Sequence, residues 1–244
     1  RKPRKAVYSA LHGQNPPAPP GVTRPKITAT LAGGIEHPKK TDRDGVAVLP
    51  AGPGGSDEYV MVGAHYDHLG HGGGSSLGRS GEETKIHPGA DDNASGVAWV
   101  MELAAALAQE KAEHPEKFKR GIIFGCWSGE EIGLIGSAAF AEHPPVTLNK
   151  IIAYLNADMV GRLRENKLTV QGVGSSTVWR RMLEKRNVVA GFNLSLQDQP
   201  YLPTDETALY PKKYPSPNFF TAPPNTQPPH PGPAATSTPA RLPP

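Results

Sequence analysis

Four short acidic and histidine clusters follow one another along the chain: His65–Tyr66–Asp67, Asp91–Asp92–Asn93, Glu130–Glu131 and Asn156–Ala157–Asp158. A further histidine, His230, stands near the end. One histidine with several carboxylates is a hard-to-borderline donor set, suited to zinc or another divalent ion. Paired ions held this way are a hydrolytic device. Each cluster alone also has a plain structural reading. His65 and Asp67 are two residues apart and would share one face of a strand. They are either a polar strand end or a ligand with a carboxylate that fixes its tautomer. Asp92 or Asn93 is a helix N-cap or a metal donor. Glu130 and Glu131 are either first-turn helix acids or two carboxylates sharing a cleft. Asp158 is a turn residue or a ligand. Four such coincidences in one order are less plausible than one site.

The elements that must position these residues alternate. Tyr59–Ala64, Gly121–Trp127 and Lys150–Asn156 are short apolar runs that read as buried strands. A helix over Asn93 to about Ala112 is predicted from Val97, Val100, Met101, Ala104, Leu107 and Ala108 at helical spacing. Further helices are expected near Leu134–His143 and Ser176–Val189, and strands at Leu168–Gly174, Asn193–Leu196 and Ser216–Thr221. This βαβα order predicts a three-layer α/β/α sandwich with a mostly parallel central sheet. In such a sheet, ligand-binding residues lie beyond the carboxyl ends of the strands, which is where the four clusters fall. The Gly-, Ser- and His-rich insert Gly70–Pro88 reads as a loop over the site. The histidines in or beside it, His68, His71 and His87, read as solvated loop residues in preference to stray metal binders.

Together the motifs resemble those of the M28 family of zinc peptidases over roughly residues 27–221. The stretches that carry the resemblance are Ala64–Asp67, Asp92–Gly96, Ser128–Glu131, Asn156–Asp158 and Asn218–Thr221. The resemblance implies two zinc ions per chain, joined by a carboxylate and a water, and a peptide or protein substrate. Carried over by residue, it makes His65 and Asp158 ligands of one zinc, Asp92 the bridge in preference to Asp91, Glu131 a ligand of the other zinc, and Glu130 the general base. Asp67 would support His65. The expected activity is that of an exopeptidase, most simply an aminopeptidase, with export to a periplasmic or extracellular compartment. A non-catalytic binding domain and a glutaminyl-cyclase-like transferase are the alternatives.

The family pattern carries one more histidine, in a Tyr-His pair soon after the last strand. Here Ala222–Pro223–Pro224 follows Thr221 instead. Residues 222–244 contain 9 prolines and no Phe, Tyr or Trp, a composition unable to pack a core. The change after Thr221 reads as a shifted coding frame or a rewired homologue. The zinc held by Glu131 is therefore expected to be weak, with His230 a poor substitute ligand.

Residues 1–26 hold another 6 prolines and a basic Arg1–Lys5 end, which reads as a solvated flank. Three segments are thus expected: the flank 1–26, the domain 27–221 and the low-complexity tail 222–244. A formal charge of +3 is small for 244 residues and gives no reason to expect a nucleic-acid partner. No run is long and apolar enough to span a membrane. Cys126 is the single cysteine, read as a small buried hydrophobe. Without an initiator methionine, the chain reads as a fragment or a processed form. Arg162 reads as a surface ion-pair residue.

Overall fold

The computed structural model describes residues 41–72, 85–199, 201–209 and 214–221. The flank 1–26, residues 27–40 of the expected domain, residues 73–84 of the insert and the tail with His230 lie outside these residues. Seven strands form one mixed sheet: β1 (Gly45–Leu49), β2 (Tyr59–His65), β3 (Gly121–Trp127), β4 (Ile151–Ala157), β5 (Lys167–Gln171), β6 (Asn193–Leu196) and β7 (Asn218–Phe220). The order across the sheet is β1-β3-β2-β4-β7-β5-β6. The centre, β3-β2-β4-β7, is parallel, as expected. The flanks differ, because β1 runs antiparallel to β3 and β5 antiparallel to β7. β1 escapes a reading by pattern. It is a five-residue edge strand whose Val46 and Val48 are exposed, so it carries no buried alternation.

Among the described residues, three α-helices cover the sheet: α1 (Ala94–Glu113), α2 (Ile135–Glu142) and α3 (Trp179–Ala190). Alternation along β2 and β3 separates the layers. Met61, Ile123 and Trp127 pack with Phe140 and Ala141 of α2. Val62, Ala64 and Phe124 pack with Val100 of α1, flanked by Val97, Leu103, Ala104 and Leu107. A third cluster, Ala153, Val170, Val173 and Trp179, seats α3.

The parallel register brings the ends of β2, β3 and β4 to one edge. His65 pairs with Trp127, and Gly63 with both Gly125 and Asn156. Beneath that edge runs a chain of buried hydrogen bonds. Trp127 Nε1 donates to Tyr154 Oη (2.8 Å), which donates to Asn156 Oδ1 (2.6 Å). Asn156 Nδ2 then donates to Asn218 Oδ1, and Asn218 Nδ2 to Gln171 Oε1. Four strands are thus tied at the level of the clusters.

Candidate metal centre

His65 ends β2, side chain 2% exposed. Its Nδ1–H donates to the Asp67 carbonyl at 3.1 Å, which leaves Nε2 as the nitrogen available to a cation. Nε2 lies 3.3 Å from Asp92 Oδ1 and 3.4 Å from Asp158 Oδ1. The carboxylate of Asp67 is farther from Nδ1, at 3.6 Å. It accepts instead from the backbone N–H of Glu130 (3.1 Å) and of Glu131 (3.4 Å). Asp67 therefore fixes the His65 ring through its carbonyl and the Glu130–Glu131 turn through its side chain.

That turn leaves β3 through Gly129, whose φ of +66° favours glycine. Ser128 is pinned by Asp44, which accepts from its N–H and its hydroxyl. The carbonyl of Glu130 then accepts from Gly133 and Leu134, so the two glutamates sit on a turn and not on a strand.

Asp92 stands just before α1. Its neighbour Asn93 is the N-cap, with Oδ1 accepting from the Gly96 N–H and Nδ2 donating to the Ala157 carbonyl. The helix start is thereby stapled to the end of β4. Asp91 points elsewhere. It is buried, accepts from the Gly161 N–H at 2.9 Å and pairs with Arg162 Nε at 3.1 Å. Arg162 is thus partnered by a buried carboxylate and is itself only 18% exposed, not the surface pair expected.

Two donor sets converge here and share Asp92. One is His65, Asp92 and Asp158; the other is His68, Asp92 and Glu131. Within each set, one donor atom per residue lies within 4.8 Å of the others. The residues fit divalent cations. Asp158 Oδ1 is buried with no hydrogen bond among the described residues, and carboxylates this close repel unless a cation lies between them. The sets combine imidazole and carboxylate, a donor mix that zinc accepts.

The same crowding shapes the proton affinities. Burial works against the His65 imidazolium, but Asp158, Asp67 and Asp92 outweigh it and raise its pKa. His68 rises too, burial again being outweighed by Glu131 and Asp92. Burial pushes Glu130 up to about 8. Asp205, Asp158 and Glu131 reinforce the rise and His65 opposes it.

The sequence pattern of peptidase family M28 matches residues 46–230. The chain belongs to peptidase family M28. It is 36% identical to leucine aminopeptidase 1 of Trichophyton equinum over 112 residues, 46% of this chain and 28% of that one. It is 36% identical over 138 residues to an aminopeptidase of Pseudomonas aeruginosa, 56% of this chain and 22% of that one. The M28 chain thus spans about a quarter of these relatives' length. Its fold is similar to that of a zinc aminopeptidase from Bacillus subtilis, with TM-score 0.58 and 24% identity over 78% of this chain and 43% of that one. It is also similar to a Zn-dependent exopeptidase from Parabacteroides distasonis, with TM-score 0.55 and 16% identity over 75% of this chain and 72% of that one.

Three residues in or beside this candidate centre escaped the reading by motif. His68 and His87 are not solvated: the His68 side chain is 14% exposed and His87 is buried, their rings edge-on at 6.0 Å. His71 is exposed, as expected. Asp205, on the short turn Asp205–Ala208, is buried beside the site, with Glu206 next to it. Burial raises Asp205 to about 7 and Glu206 to about 8. In sequence, Thr204–Asp205–Glu206–Thr207 looks like a solvated polar turn. Only the packing of this turn against α2 and β4 shows otherwise.

Proposed function

We propose that this chain carries the catalytic centre of a zinc-dependent aminopeptidase. One observation carries the reading: Asp92 joins two histidine–carboxylate sets, and Asp67 holds the backbone N–H of Glu130 beside them. The names of the curated relatives favour an aminopeptidase over other hydrolases.

In this reading His65, Asp92 and Asp158 hold one zinc, and Glu131 with Asp92 belongs to the second. Bound there, the zinc pair supplies a Lewis acid for the scissile carbonyl and makes a water acidic near neutral pH. The chain's own residues do the rest. Glu130 accepts the proton of the attacking water and returns it to the leaving amine. The products are one free amino acid and a peptide shortened at its N-terminus. Asp67 keeps Glu130 in reach by holding its backbone N–H, and Asn93 keeps Asp92 at the strand ends. Crowded carboxylates also offer a partner for the protonated N-terminus of a substrate, which would select exopeptidase cleavage.

The test compares leucine p-nitroanilide with its N-acetylated form. Hydrolysis of the free amine only, abolished by a chelator and restored by zinc, is the expected result. Cleavage of both substrates would refute the aminopeptidase assignment, and cyclisation of N-terminal glutamine without peptide cleavage would make the chain a transferase. Export to a periplasmic or extracellular compartment belongs to the same reading. Finding the protein solely in the cytosolic fraction of its source cells would overturn it.

A further inference from the structure

The second donor set contains a nitrogen that motif matching did not supply. His68 lies three residues beyond His65, on the segment that leaves β2. Its Nδ1 is 2.7 Å from Glu131 Oε1 and 3.8 Å from Asp92 Oδ2. Asp92 thus turns Oδ1 to His65 and Oδ2 to His68. All three side chains of the second set are only 14–15% exposed. The ring has a seat. A Cβ at Gly89 would come within 3.0 Å of His68 Cβ and 3.2 Å of its Cγ, and Gly89 has a φ of +67°. His87 packs edge-on against the same ring, and its N–H bonds the Gly70 carbonyl at 2.7 Å, which closes the segment behind His68.

The two sets therefore match in composition. Each has one imidazole, one carboxylate of its own and one oxygen of Asp92. Three protein donors with a position left over is the arrangement of a catalytic zinc. Glu131 and Asp92 alone would leave the second ion with two.

We infer that His68 is the nitrogen ligand of the second cation, so that residues 65–158 complete both sites without a histidine from the tail. This rests on the zinc reading above. It replaces the expectation of a weak second site.

The test is zinc titration of the metal-free full-length chain, followed by calorimetry and by metal analysis after gel filtration. The wild type should take up two ions, and His230→Ala should also take up two. His68→Ala and the size-conserving His68→Gln should keep one tight ion. Changing a residue that merely supports a ligand costs about 10–100-fold in metal affinity, so loss of the ligand should weaken the second ion by more than about 100-fold. X-ray absorption of the two-zinc His230→Ala protein should show on average one imidazole per zinc, a readout that needs no change at His68. Two tight ions in both His68 variants would overturn the inference, as would loss of one ion in His230→Ala, and the zinc reading would survive either. A wild type that binds one ion overturns the inference alone. A wild type that binds none overturns the zinc reading with it.

Discussion

Glu206→Gln should stabilise the metal-free protein at alkaline pH and leave it nearly unchanged at acid pH. Glu206 is 0% exposed, Thr204 donates its hydroxyl to Oε2, and Oε1 has no hydrogen-bond partner among the described residues. Burial is the first cause that lifts its pKa from the usual 4.5 to about 8, with the neighbouring Asp205 and Asp158 adding to the rise. The sign follows from linkage. A raised pKa means that the folded state keeps a proton the unfolded chain has lost. The contribution is fully present below about pH 4.5 and is lost as pH rises through about 8. A rise of this size corresponds to a ceiling of about 5 kcal/mol. Relaxation and water entry around a buried ion lower such penalties, so about 2 kcal/mol is expected at pH 8.5. The amide keeps the shape and the acceptor for Thr204 but never ionises. Urea unfolding of chelator-treated wild type and variant at about pH 4 and pH 8.5, on either side of the two pKa values, measures the effect. The difference between them should be under about 0.5 kcal/mol at the lower pH and favour the variant by about 2 kcal/mol at the higher. A difference that does not grow with pH would refute the buried-carboxylate argument.

Other perturbations act on separate parts of the centre. Glu130→Gln should keep zinc content unchanged while kcat falls about 10²–10⁴-fold; near-normal turnover in a zinc-loaded variant would remove Glu130 as the base. Asp92→Ala should lose both ions, because it serves both donor sets, whereas Asp91→Ala should keep at least one; metal analysis of the two purified variants decides. Asp91→Ala should also lower unfolding stability by about 2 kcal/mol, since it strands the partly buried Arg162, and equal urea midpoints for variant and wild type would contradict that. Gly63→Ala places a Cβ 2.6 Å from Trp127 Nε1 and 2.7 Å from Tyr154 Oη. It should cost about 2–3 kcal/mol by overpacking, read as a lower urea midpoint, and an unchanged midpoint would mean that the buried hydrogen-bond chain yields easily.

The parallel centre of the sheet was legible in the sequence because its strands are buried. Tyr59–His65, Gly121–Trp127 and Ile151–Ala157 are near-continuous apolar runs, and that pattern survives without knowledge of neighbours. The same holds for α1, whose apolar face repeats at helical spacing. Edge strand β1 was not legible, since an exposed strand needs no pattern. The acidic clusters were legible as candidates through their order and their places at strand ends. Their geometry was not. Which aspartate of the pair Asp91–Asp92 faces the cleft depends on where Gly161 and Arg162 capture Asp91, residues about 70 positions away. His68 looked like one of three loop histidines; packing against Glu131, Gly89 and His87 moved it into the centre, and adjacency to His65 could have hinted at it. Asp205 and Glu206 are polar in sequence and buried in space. Local sequence determined the donor types and the elements that carry them, because propensity and periodicity act over a few residues. Tertiary structure decided which donors meet, because a carboxylate's role depends on the charges and donors that long-range packing sets beside it.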